Sequence, residues 1–202
     1  MRRAVALGCG VLLLAGCTST GSGTSLVLDS GQAAVSSEFR IAQQEVADSV
    51  ARIQVGLGQP AGDPPPGLAS LTTERLVRNA LIDSYAQDNG IALTQTQIED
   101  GVAQLAEANG GQDALNQLAL QSGVPVEELE DTVATNLIVT AIGSELNAAG
   151  DAAAQVESAR VALAEYSRAI DVEVAPRYGT WDDEQLAIVP GSDLTEPAAG
   201  QG

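Results

Sequence analysis

The sequence predicts a mainly α fold, a multi-helix domain with a small β element joining its N- and C-terminal segments. Three observations predict it. Apolar residues recur at helical steps through most of the chain, as at Val46, Val50, Ile53 and Leu57. Glycines and capping residues interrupt these runs at short intervals. Extended segments are read near the two ends, around Ala33 and over 171–175, and are expected to pair as the β element.

Taken in order, the chain opens with Arg2 and Arg3, then a short apolar run over 4–15 broken by Gly8 and Gly10. This is the layout of a secretory signal and is too short to span a bilayer. The arginine pair alone also fits the weaker reading of a twin-arginine signal. Leu14, Ala15, Gly16 and Cys17 close the run. These four residues resemble the lipobox of bacterial lipoproteins. That resemblance implies cleavage after residue 16, a lipid on Cys17 and a place on the extracytoplasmic face of the cell membrane. The expected organisation is a signal peptide over 1–16, lipidated Cys17 with a tether to residue 31, a domain over 32–185 and a polar, disordered tail over 186–202. The Gly/Ser/Thr stretch over 18–25 reads as coil with a reach on the order of 15 Å.

Ala33 to Val35 and Glu38 to Ile41 read as short strands around Ser36 and Ser37. A helix follows from Ala42 and stops at Gly56-Leu57-Gly58. Residues 59–67 hold four of the eight prolines and form a loop. Thr72 or Thr73 is expected to cap the next helix, whose apolar face is Leu76, Ala80, Leu81 and Tyr85, with Gly90 as its C-terminal stop. Thr94 and Gln97 form a capping box for a helix burying Ile98, Val102 and Leu105. Gly110-Gly111 ends it, and a short helix with Leu115, Leu118 and Leu120 runs to Gly123. Pro125 then opens a long helix whose first turns hold Glu127, Glu128, Glu130 and Asp131, where carboxylates suit the positive end of the dipole. Its buried face is read as Leu129, Val133, Leu137, Ile142 and Leu146. After 147–151 a last helix carries Val156, Leu163 and Tyr166. A strand over 171–175 follows, then a turn at 176–179 with Tyr178, left by Trp181.

Composition narrows the function. The formal charge is −18, from 27 acidic residues against nine arginines and no lysine, which argues against a nucleic-acid partner. Histidine is absent, removing the commonest general base and metal ligand together. The two cysteines are Cys9, inside the signal, and Cys17, so no disulfide or thiol catalyst is expected. No metal, no cofactor and no enzymatic activity are therefore expected.

The order of punctuation in the middle of the chain carries a second resemblance. It runs through 88–94 (Asp-Asn-Gly-Ile-Ala-Leu-Thr), 110–115 (Gly-Gly-Gln-Asp-Ala-Leu) and 123–129 (Gly-Val-Pro-Val-Glu-Glu-Leu). This resembles the N-terminal domain of SurA-type periplasmic chaperones and PrsA-type foldases, and 172–182 resembles the close of actinobacterial SurA-like lipoproteins. The resemblance implies a helical module that binds extended, unfolded segments of exported proteins without ATP. Larger members insert a parvulin prolyl isomerase before the last helix; here only the short 147–151 loop stands there.

The expected partners are unfolded or nascent exported proteins, with the membrane reached through Cys17. An interaction lipoprotein docking one folded envelope partner is the alternative, and a prolyl isomerase the remote one. Phe39, Tyr85, Tyr166, Tyr178 and Trp181, the five aromatics, are the peptide-binding candidates, each also readable as core. Arg177 is read either as an anchor of the turn paired with a carboxylate or as a solvated side chain.

Overall fold

The computed structural model describes residues 28–60 and 62–190. Six helices and a small antiparallel sheet make the fold mainly α, as the periodicity predicts. The chain begins with β1 (Gln32–Val35) and β2 (Arg40–Ala42), continues through α1 (Gln43–Gly56), α2 (Leu68–Asn89), α3 (Gln95–Ala108) and α4 (Gln112–Gln121), and reaches a single 3₁₀ turn (Val126–Glu128). Then come α5 (Leu129–Leu146), α6 (Ala152–Ile170), β3 (Glu173–Val174) and a hairpin of β4 (Thr180–Asp182) and β5 (Ala187–Val189).

The two ends of the domain meet as expected. β1 lies between β2 and β3, antiparallel to both, with Ala34 opposite Val174 and Val35 opposite Glu173. Ser36 makes the β1–β2 turn: its buried hydroxyl accepts from the Glu38 and Phe39 amides at 3.1 and 3.0 Å. Asp171 ends α6 in the left-handed region (φ 56°), and this reversal aims the chain back at β1. Ala175 N then donates to Ala33 O at 2.8 Å.

Local chemistry sets most helix ends. Thr94 and Gln97 form the reciprocal capping box, and Gly90 caps α2 at φ 68°, where a side chain would be strained. Asp151 caps α6 through its carboxylate to Ala154 N at 2.9 Å. Two expectations fail. Thr72 and Thr73 are not caps; α2 starts at Leu68 behind Gly67, and both threonines are fully buried one turn inside. The ordered chain also passes residue 185. Leu186 is buried and β5 pairs with β4, so residues 186–189 belong to the fold and not to the tail expected from 186; three strand residues are too few for a periodic signal, and the tail from 191 lies outside the described residues.

Burial divides into a main core and a satellite. The main core joins β1, α1, α2, the C-terminal half of α5, α6 and the hairpin around Val77, Leu81, Ile142 and Leu163. The satellite packs Ala106, Leu115, Ala119 and Val124 against Leu129 and Val133 at the start of α5. α5 serves both, which explains its apolar residues on nearly every side. The faces read from periodicity shift accordingly. On α2 the buried side chains are Arg75, Val77, Leu81 and Ile82, with Leu76, Ala80 and Tyr85 at the flank. Leu105, Leu118 and Leu146, expected inside, are exposed.

Candidate functional site

The residues singled out by sequence are placed as follows. Cys17 lies outside the described residues. Trp181 is 8 % exposed in the main core, and its indole N–H donates to Ser167 Oγ at 2.8 Å, whose hydroxyl donates to Asp183 at 2.5 Å. Tyr85 and Tyr166 meet edge to face, 5.3 Å between centroids. Burial, together with the Tyr166 hydroxyl donating to Asp88 at 2.6 Å, pushes that phenol above its ordinary pKa. Phe39 and Tyr178 pack partly buried on the same core. The structure therefore brings two of the five aromatics together, and of the two readings of Trp181, peptide contact or core, it places the side chain in the core, on β4. Arg177 donates to Gln43 at 3.1 Å, an amide where a carboxylate was one expectation.

None of these aromatics lines the largely aliphatic cleft between α2, α5 and α6. That cleft is about 490 Å³ in volume. Leu71 and Ile82 of α2, Val139 of α5, and Val156 and Leu163 of α6 form its apolar walls, with Val124 and Leu186 closing its ends. Leu71 is 46 % and Val156 60 % exposed, so two large aliphatic side chains stand unpacked at its mouth. Between them lie neutral hydrogen-bonding groups: Asn79, Ser122, Thr132, Thr135, Asn136 and Gln185. Three arginines, Arg75, Arg78 and Arg160, complete the lining, and no aspartate or glutamate belongs to it.

Arg75 stands at the centre of an ion-pair cluster. Glu128, in the 3₁₀ turn before α5, meets Arg52 of α1 on one oxygen and Arg75 Nη1 on the other at 2.6 Å. Arg75 Nη2 donates to the buried Ser49 hydroxyl at 2.7 Å. Its Nε has no hydrogen-bond partner, nor does the nearby buried Thr72 hydroxyl. The cluster ties α1, α2 and α5 together, so Glu128 does more than complement a helix dipole, while Glu127, Glu130 and Asp131 are exposed. A second cleft of about 440 Å³ lies beyond it, where Glu45, Asp83, Glu128 and Asp131 stand with Arg40, Arg52 and Arg75. There partial desolvation, with the charge of Asp131, raises the pKa of the otherwise exposed Asp83 above its ordinary value.

Burial acts to raise Glu128, but hydrogen bonds from Arg52, Arg75 and Ser49 and the charge of Arg75 outweigh it and hold the carboxyl below its usual 4.5. A group lowered in the folded state adds stability above its unfolded pKa and loses it as pH falls through the folded one. Glu128→Gln is therefore expected to cost about 2 kcal/mol at neutral pH, leaving Arg75 without its countercharge. The difference from the parent chain should shrink as pH drops below 4.5, as measured by urea titrations across the acid range.

The lining of the cleft offers aliphatic surface, amides, hydroxyls and guanidinium groups. Among the described residues, no three Asp, Glu, Cys or His side chains converge to hold a metal, and no helix is long and apolar enough to cross a membrane. The arginines were missed in the sequence because a helical arginine reads as solvated. The available signal was their spacing: Arg75 and Arg78 fall three apart on one face of α2 in a chain with only nine basic residues.

The fold is mainly helical, with this cleft open between three of its helices. Comparison with protein-family models, curated proteins and solved structures finds no match for the chain.

Proposed function

We propose that this chain is a lipid-anchored, ATP-independent chaperone outside the cytoplasm, holding extended segments of unfolded exported proteins in the cleft between α2, α5 and α6. The observation that carries the reading is the composition of that cleft. Exposed aliphatic walls suit the side chains of an unfolded segment, and the interspersed amides and hydroxyls suit its unpaired backbone groups. Cys17 with its preceding small residues supports the anchor, and the punctuation resembling SurA-type modules supports the activity. The 147–151 loop, a five-residue connection capped by Asp151, leaves the isomerase of larger members without a place. The high negative charge keeps a client complex soluble.

The test is light scattering of an aggregating, unfolded client with the full chain in lipid nanodiscs. Suppression at near-stoichiometric ratios is expected with several clients; none with any client contradicts the proposal. Val156→Asp removes an exposed aliphatic group, so stability should stay within about 0.5 kcal/mol. Loss of roughly 1.5 kcal/mol of side-chain burial on the client should weaken suppression by about tenfold.

A further inference from the structure

We infer that the segments this cleft takes carry a carboxylate flanked by aliphatic residues, an inference that rests on the chaperone reading above. The chain has 27 acidic and nine basic residues, yet three arginines and no acid line this cleft. The neighbouring cleft, across the shared wall of Arg75, Asn79 and Thr135, is mixed, with four carboxylates beside Arg40, Arg52 and Arg75. Only the first presents arginines to an acidic segment without a carboxylate in the same lining.

Free donors make the difference specific. Arg75 is 7 % exposed with its two terminal nitrogens on Glu128 and Ser49, so it lends the lining charge and not a free donor. Arg78, one turn further along α2, meets Glu74 through Nη2 alone at 3.2 Å, which leaves the rest of its fork available. Arg160 is more fully engaged, with both Nε and Nη2 on Glu157 and Nη1 on the Glu184 carbonyl. The carboxylates that pair with these arginines, Glu74, Glu128 and Glu157, all lie outside the cleft lining. They hold the guanidinium groups in place without occupying the cleft. Arg78 is thus the residue that receives the incoming carboxylate, with the charge of Arg75 beside it on α2. The six neutral hydrogen-bonding side chains favour a peptide over a fatty acid, whose methylenes would leave those groups unmatched.

Fluorescence anisotropy with the full chain in nanodiscs tests this. The probe is a labelled peptide of Leu, Val and Ser, blocked at both ends, with one central residue set to Glu, Gln or Lys. The Glu peptide is expected to bind about fivefold tighter than the Gln peptide at low salt, and the Lys peptide weakest. Arg78→Ala should bring the Glu-to-Gln ratio near one, and Arg78→Lys should restore part of it. Because the readout is a ratio, a general loss of packing does not imitate it. Equal binding of Glu and Gln peptides, or tighter binding of the Lys peptide, overturns the inference and leaves the chaperone reading standing. Displacement of the Glu peptide by free decanoate at equal concentration overturns it in favour of an amphiphile site. Failure of all three peptides overturns it as well, and light scattering then decides separately whether the chaperone reading also falls.

Discussion

Trp181→Ala should lower the stability of the domain by about 4 kcal/mol, one of the two largest losses expected from any single change considered. The indole is the largest side chain the hairpin contributes to the main core, and it is 8 % exposed. Its removal opens a cavity between the hairpin and α6 and leaves the Ser167 hydroxyl, itself fully buried, without its donor. Trp181→Phe keeps much of the volume but not the N–H, so a loss of about 2 kcal/mol is expected. Denaturant titrations followed by far-ultraviolet circular dichroism measure both. The fluorescence of the sole tryptophan gives a second reading in the parent chain, where emission should be that of an apolar environment. A loss below about 1 kcal/mol for Trp181→Ala would contradict its place in the core.

Gly143→Val should be comparably severe, at about 3 kcal/mol or more. Gly143 is fully inside the crossing of α5 and α6, where a side-chain carbon would lie 2.8 Å from the carbonyl carbon of Gln155 and nearer still to its oxygen. The obstruction is backbone, so no rotamer change relieves it and the two helices must separate. Alanine is expected to cost less than valine, about 2 kcal/mol, since it adds one carbon at the same point. Melting temperatures of the two variants should fall in that order. Since α5 and α6 form two walls of the cleft, client binding should fall with them. Unchanged stability in both variants would mean that the helices do not cross this closely.

The sequence made the architecture legible where the chemistry is local. The Thr94–Gln97 box, the Gly90 stop and the pairing of the segment near Ala33 with 171–175 follow from capping and strand signals a few residues long. Distant partners set the rest. α2 starts at Leu68 and not at the threonines because Pro64 to Pro66 and Gly67 place the turn earlier, and Thr72 then falls inside the packed helix. Arg75 is buried only because Glu128, more than fifty residues away, comes to meet it. No periodicity reports that pairing. The aromatics were reasonable candidates by type, but large rings in a small core are covered first, and Trp181, Tyr85 and Tyr166 went to packing. The cleft arises where three helices diverge, and its aliphatic mouth at Leu71 and Val156 looks in sequence like any other helical face.

Exposure of those aliphatic residues gives the central claim its most direct test. Val156 and Val55 are the same residue type with similar exposure, 60 % and 66 %, but only Val156 lines the cleft between α2, α5 and α6. A photoreactive benzophenone side chain placed at each position of the full chain, irradiated with an unfolded client, separates groove binding from general surface stickiness. The account predicts strong crosslinking from 156 and weak crosslinking from 55, with the client adduct at 156 competed away by an unlabelled Leu/Val peptide carrying one Glu. Equal yields at the two positions, or adducts at 55 alone, would contradict it.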